Sequence, residues 1–333
     1  MIPVSVIIPM RNAATTVLET LRTITMQKYP IAEVIVVDNV SKDNCRDIVL
    51  ANARKSKIPI TLIKRQKDLG VASSYNLGTR RAKSELVVFL TSDASLSTDR
   101  ELEKLTKPLR EDASVVASYP STLLPGWLWE KYNFWQKFHS SRDVDIDNST
   151  LALKFDCIRR KTFLEIGGFD EVNFGGDSAI GGEDVDLTMR LREKGKIAKS
   201  QATAYHLHYM GSDYSLRNMM RSRKMSARSY GRFLRKSAFK DIRTTIEFSI
   251  RPALAILPLI PSFNNVGILL LLFYSLYYTH KMFIAPSTRS DLRIVLIPIL
   301  NIFFLYHDLF WLLEAFFTYR ENRANQGKNR YNI

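Results

Sequence analysis

Leu86-Val87-Val88-Phe89-Leu90, followed at once by Thr91-Ser92-Asp93, decides how this chain is read. Five apolar residues without polar alternation predict a strand covered on both faces, as in a parallel sheet packed between helices. The same material recurs upstream in Val4-Ser5-Val6-Ile7-Ile8-Pro9, in Glu33-Val34-Ile35-Val36-Val37-Asp38 and in Ile60 to Lys64. Helical spacing fills the gaps: Thr15 to Lys28, about Asp43 to Lys55, and Val71 to Ala82. Alternating strands and helices predict an α/β fold whose ligands bind beyond the carboxyl ends of the strands. Asp38, Thr91 and Asp93 fall at those ends, on separate strands.

Downstream the regularity falls. Pro108 to Tyr119 reads as a helix end and a strand, Leu151 to Arg159 as a strand, Lys161 to Ile166 as a short helix, and Ala198 to Tyr209 as extended. In an extended segment His206 and His208 share a face. Trp127 to His139 is rich in aromatics, which suits a packed helix or a wall for a sugar or lipid chain. A glycine-rich loop from Phe174 to Asp177 leads to Gly181-Gly182-Glu183-Asp184 and then to an amphipathic run ending at Arg192. Two carboxylates in a first helical turn suit the helix dipole with no further role. Alternatively, the junction holds a carboxylate at the mouth of a cleft, where it can take a proton.

The chain has 333 residues, 48 Lys and Arg against 33 Asp and Glu, and a net charge of +15. That excess points to an anionic partner. It concentrates between Arg217 and Arg243, just ahead of the most apolar part of the chain, so membrane phosphates fit better than nucleic acid. Arg217, Arg221, Lys224 and Arg228 share one helix face. Two distant cysteines, Cys45 and Cys157, indicate neither a disulfide framework nor a zinc site. The first residues lack signal-peptide features, which predicts a catalytic part that stays in the cytoplasm. After Ile246 the chain predicts a membrane-embedded tail of about three segments, within Pro252 to Pro261, Val266 to Tyr278 and Leu292 to Phe317. Lys281, Arg289 and Arg293 favour a cytoplasmic loop between the last two.

Ser5 to Pro9, Val36-Val37-Asp38, Gly70-Val71-Ala72 with Asn76 and Gly78, Phe89 to Asp93, Gly167-Gly168-Phe169-Asp170-Glu171 and Gly182-Glu183-Asp184 occur in one order. Over roughly residues 3 to 235 this ordered set resembles the inverting family-2 glycosyltransferases of GT-A fold, including archaeal transferases acting on lipid-linked glycans. The tail resembles a reduced cellulose-synthase-like arrangement. The resemblance implies a nucleotide-diphospho-sugar transferase with a Rossmann-like, mostly parallel sheet, plus C-terminal transmembrane or interfacial helices. It implies a catalytic domain over 1–212, basic interface helices over 213–245, membrane segments over 246–320 and a basic tail over 321–333.

Carried over residue by residue, it makes Asp184 the catalytic base with Glu183 its supporting neighbour. Pro9, Arg11, Asp38, Asn39, Ser41, Asn76 and Ser92 would hold the nucleotide. Asp93, with His208 or else His206, would bind a divalent cation, Mn²⁺ or Mg²⁺. Arg217, Arg221, Lys224 and Arg228 would hold phosphates of donor or acceptor. The implied partners are a nucleotide-sugar donor, with GDP-mannose preferred over UDP-sugars, a lipid-linked acceptor and the membrane, with no nucleic acid. Thr91 stands where the family's first Asp of Asp-x-Asp is usual, and Gln-x-x-Arg-Trp is absent, which argues against a processive polymerase. Two rivals remain: a dinucleotide enzyme, disfavoured because Gly-x-Gly-x-x-Gly does not follow the first strand, and an inactive scaffold of transferase fold.

Overall fold

The computed structural model describes residues 1–147, 149–174, 182–208, 214–237 and 242–319. Gly175 to Asp177, Gly181 and the tail from Arg320 lie outside the described residues. The chain divides into two compact units. The first comprises Met1–Leu128, Asp145–Ala179 and Glu183–Ser212; the second comprises Trp129–Val144, Ile180–Gly182 and Asp213–Ile333.

The first unit is built on eight strands: β1 (Val4–Met10), β2 (Ile31–Asp38), β3 (Ile60–Lys64), β4 (Leu86–Leu90), β5 (Ala94–Leu96), β6 (Val115–Leu123), β7 (Phe155–Arg159) and β8 (Lys196–His206). Their order in the sheet is β3-β2-β1-β4-β7-β6-β8-β5. β3, β2, β1 and β4 are parallel. Beyond β4 the sheet is mixed: β7 runs antiparallel to β4 and β6, β6 and β8 run parallel, and β5 is antiparallel to β8. The parallel half follows the apolar strand runs. The mixed half lacks them, because its strands are not joined by regular helical crossovers.

Helices cover both faces, and period-two alternation splits β1 between two cores. Val4, Val6, Ile8 and Met10 face one core. Ile7 faces the other with Tyr75, Phe89, Phe163 and Phe169. On that second face the Gly70–Arg81 helix lies so close that a Cβ at Gly78 would come within 2.3 Å of Ile7 Cγ2.

Topology makes this sheet curl. β4 and β5 are four places apart in the sheet, about 19 Å if it were flat. Yet only Thr91-Ser92-Asp93 join them, and that link reaches at most about 14 Å. The far edge must therefore bend back toward the end of β4. Leu207 N donates to Asp93 O at 2.7 Å, closing the curl.

The second unit is helical, with its longer helices at Leu216–Ser237, Ile242–Ile256, Asn264–Tyr277 and Ile297–Thr318. The aromatic stretch serves this unit's core: Trp129, Tyr132, Phe134 and Phe138 are buried. The three apolar runs expected to enter the membrane take two forms. Among the described residues one helix, Leu292–Thr318, is long and apolar enough to cross a membrane, with a second span if a bent helix pair counts as one. The first two apolar runs instead form one pair, Ser249–Leu259 and Pro261–Tyr277, bent by 100°. The bend is tight enough that a Cβ at Gly267 would meet Pro258 N at 2.4 Å.

Candidate active site

The curl delivers the end of β8 to the turn after β4. His206 Nε2 lies 3.2 Å from Asp93 Oδ2, and His208 Nδ1 lies 3.6 Å from the same oxygen. The two imidazoles stack, with ring centroids 4.7 Å apart. One ligand atom from each of the three side chains falls within 4.8 Å of the others, a group able to hold a metal ion. Burial takes the His206 imidazole down to about 4, leaving it neutral at neutral pH. Burial works to raise the Asp93 carboxyl, but the adjoining imidazoles outweigh it and hold the group well below the usual carboxylate range. An anionic oxygen beside a neutral ring nitrogen is the protonation pattern a divalent cation requires. His206, the second choice from sequence, lies nearer Asp93 than His208 does.

Glu183 and Asp184 open the Glu183–Arg192 helix. Arg190 ties that helix back: it pairs with Asp186 at 2.6 Å and donates to the carbonyls of Ile166 (3.0 Å) and Gly168 (2.6 Å). Asn76 grips the same turn from the other side. Its amide accepts from Phe169 N at 2.8 Å and donates to Phe169 O at 3.0 Å and Glu171 Oε1 at 2.6 Å. Both ends of this buried amide are therefore spent on the Gly-Gly-Phe-Asp-Glu turn. Asn76, expected to bind nucleotide, thereby positions this turn. Burial raises Asp184, and burial followed by the charge of Asp184 raises Glu183 to about 7.

Tyr75 connects the two clusters. Its fully buried hydroxyl donates to Leu153 O at 2.7 Å and feels the charges of Asp156, Asp93 and Glu183 together. Asp184 in turn acts on Asp156, and Lys154 acts on Asp184, Asp156 and His206. Asp93, Glu183 and Asp184 thus share one neighbourhood. Thr91 Oγ1 and Glu183 Oε2 are buried there without a hydrogen-bond partner among the described residues, as expected of groups that a polar ligand would satisfy.

Lys154 and Asp156 were missed from sequence. Their signal was present in Leu153-Lys154-Phe155-Asp156-Cys157: polar residues at every second place, one just before β7 and one within it, share a face of an extended chain. Asp156, almost fully buried, accepts from Leu153 N, and burial pushes its carboxyl well above the usual range.

The nucleotide candidates gather at the ends of β1 and β2. Asp38 is fully buried, bonded by Arg46 Nε at 2.6 Å and by Ser41 N at 3.2 Å. Ser41 Oγ accepts from Asn12 N at 3.0 Å. Arg11 and Asn39 both contact Asp68, another residue the sequence reading did not single out. Asp68 also accepts from Gly70 N at 3.0 Å, at the start of the Gly70–Arg81 helix. Pro9 is buried inside β1, and Ser92 lies half-buried in the turn before Asp93. Asn12 and Val40 adopt positive φ, +50° and +61°. For β-branched Val40 this is a strained conformation of the kind that clusters at ligand sites.

In the helical unit the four-residue basic stripe divides. Arg217 and Arg221 are exposed. Lys224 Nζ sits 3.5 Å above the Trp311 ring, and Arg228 pairs with Glu314 at 2.9 Å.

The model of the family described as Glycosyl transferase family 2 matches residues 5–164, just under half of the chain. An uncharacterized glycosyltransferase of Haemophilus influenzae is 25% identical over 168 residues, covering 49% of this chain and 55% of that protein. A Bacillus subtilis protein named as the teichuronic acid biosynthesis glycosyltransferase TuaG is 36% identical over 101 residues, covering 30% of this chain and 39% of that protein. The chain thus spans about half the length, or less, of these curated relatives. Among solved structures, the mannosyltransferase PcManGT from Pyrobaculum calidifontis, in complex with GDP-Man and Mn²⁺, aligns with a TM-score of 0.59 at 18% identity, covering 96% of this chain and 88% of that one. S. aureus TarS 1–349 in complex with UDP-GlcNAc aligns with a TM-score of 0.50 at 16% identity, covering 96% and 91%. The fold of this chain is GT-A-like, with a mixed, curled sheet.

Proposed function

We propose that this protein is an inverting, metal-dependent glycosyltransferase that moves a hexose from a nucleoside diphosphate donor to a lipid-linked acceptor. The observation that carries the proposal is the meeting of Asp93, His206 and His208 on one side of a neighbourhood that also holds Asp184 and Glu183. Asp93 and the two imidazoles would hold the cation, which when bound offsets charge on a diphosphate. A mixed nitrogen and oxygen donor set suits Mn²⁺ better than Mg²⁺, which prefers oxygen ligands alone.

Transfer would proceed in one displacement. Asp184 accepts the proton of an acceptor hydroxyl while that oxygen bonds to the anomeric carbon. The bond from that carbon to the diphosphate oxygen breaks on the opposite face, and the nucleoside diphosphate leaves with the electron pair. A raised carboxyl suits a base working near neutral pH, and a positioned base is worth about 10²–10⁴-fold. Lys154 would meet donor phosphates, and Arg11 would do so on leaving Asp68. Asp38, Asn39, Ser41 and Ser92 would border the nucleoside. Exposed Arg217 and Arg221 remain open to membrane phosphates, whereas Lys224 and Arg228 would first have to leave Trp311 and Glu314. The protein would sit at the cell membrane with its catalytic unit on the cytoplasmic side.

GDP-mannose is the preferred donor, in keeping with the fold likeness to a structure holding GDP-Man. UDP-sugars are the second reading, in keeping with the likeness to one holding UDP-GlcNAc. The deciding experiment offers GDP-mannose, UDP-glucose, UDP-N-acetylglucosamine and UDP-galactose with polyprenyl-phosphate-linked acceptors, with and without Mn²⁺. Transfer from one donor, lost in Asp184→Asn, supports the reading. No metal-dependent turnover of any donor would favour an inactive scaffold.

A further inference from the structure

The helical unit contains a cavity of about 290 Å³ that the transfer chemistry does not use. Arg142, Arg223 and Arg251 line it together with Asp308. Asp308 lies within Leu292–Thr318, the helix apolar enough to cross a membrane. Ionisable groups in such helices are expensive and face partners or a functional cavity. Asp308 has partners: Arg223 at 2.6 Å and Arg251 at 3.4 Å. One carboxylate thus faces two guanidiniums, and Arg142 adds a third cation against the remaining carboxylate of the lining, Asp143.

The cationic surplus is built in rather than incidental. Arg223 is only 8% exposed along its side chain, so its charge is held inside the protein. Arg251 Nε is buried without an acceptor among the described residues. Arg142 lies 4.5 Å over the Tyr278 ring and has no carboxylate partner among the described residues. Leu305, Leu309 and Leu312 also line it, following one another along the same helix face as Asp308. At this volume, at the small end of ligand pockets, the cavity has room for a headgroup but not for a nucleotide sugar.

We propose that this cavity binds a phosphate group. Guanidiniums present planar pairs of donors that match phosphate oxygens, and a buried donor without an acceptor is what such a ligand would satisfy. The phosphate can come from an amphiphile whose chain lies along these leucines, or from free phosphate. Binding there does not require donor sugar or transfer, so a catalytically dead chain retains it.

The test uses the full chain in a neutral detergent and measures equilibrium binding of farnesyl phosphate, farnesol and inorganic phosphate. Farnesyl phosphate should bind at least about tenfold more tightly than farnesol, the worth of one charge-assisted hydrogen bond. Arg142→Gln, at an exposed position, and Arg251→Gln should each weaken phosphate binding by a similar factor. Asp184→Asn should leave it unchanged. Inorganic phosphate binding as tightly as farnesyl phosphate would assign the site to free phosphate; much weaker binding would assign it to a lipid headgroup. The proposal is overturned if farnesol matches farnesyl phosphate and inorganic phosphate does not bind, or if neither arginine variant alters phosphate binding.

Discussion

Asp93 and His206 pose the central question at the scale of single residues, because a cation site needs both groups deprotonated together. The fold meets that need by burial for His206 and by imidazole neighbours for Asp93. Asp93→Asn should therefore weaken Mn²⁺ binding, read by calorimetry, by more than the roughly 10–100-fold that loss of a mere supporting partner causes. Unchanged Mn²⁺ affinity would remove Asp93 from the site. Asp184→Asn should lower turnover by about 10²–10⁴-fold and leave donor affinity intact. Glu183 adds a pH signature. Its carboxyl is raised from 4.5 to about 7, so protonation favours the folded state. The stability it contributes is fully present below pH 4.5 and is lost as the pH rises through about 7. Glu183→Gln should flatten the fall in Tm across that window. A change of about 1 kcal/mol corresponds to roughly 2–4 °C in a domain of 150–250 residues. Identical pH profiles of Tm for the two proteins would contradict this.

Single elements show where sequence pattern suffices. The strands at Ile60–Lys64 and Leu86–Leu90 were legible to the residue, and the helices Val17–Thr25, Cys45–Lys55 and Gly70–Arg81 nearly so. Apolar runs and helical spacing are local signals, and local sterics enforce them. β5, with three residues, is too short to carry such a pattern, and its only reason to exist is β8. The basic stripe shows the same limit. Spacing placed four cations on one face, but only the Ile297–Thr318 helix beside them decided that Lys224 and Arg228 have partners. That pair of helices supplies a prediction at this scale. A Cβ at Gly231 would meet Leu312 O at 2.2 Å, and a backbone atom cannot move aside cheaply. Gly231→Ala should therefore destabilise the helical unit by about 1–3 kcal/mol, read by thermal or denaturant unfolding. Wild-type stability would mean that the two helices are not packed this closely.

For the whole molecule, the fate of the apolar runs depends on how elements assemble. Apolar runs alone suggested three membrane segments; among the described residues two of them form one pair bent by 100°, with Gly267 against Pro258, and Leu292–Thr318 is a single helix long enough to cross. Expressed in cells, the full chain should sediment with membranes, resist high salt and be released by detergent. Release by salt alone would mean attachment through surface charges such as Arg217 and Arg221, whose attraction to anionic lipid is screened by ions.

Sequence by itself determined the parallel half of the sheet, the carboxylates at its edge and the acidic start of the Glu183–Arg192 helix, because each is written in neighbouring residues. Tertiary structure alone decided that His206 joins Asp93, that Asn76 holds a turn and that Lys154 and Asp156 stand among the acids. The physical reason is the short link between β4 and β5. Three residues cannot span four strand spacings, so the sheet must curl, and the curl brings together side chains that lie more than a hundred positions apart in the chain.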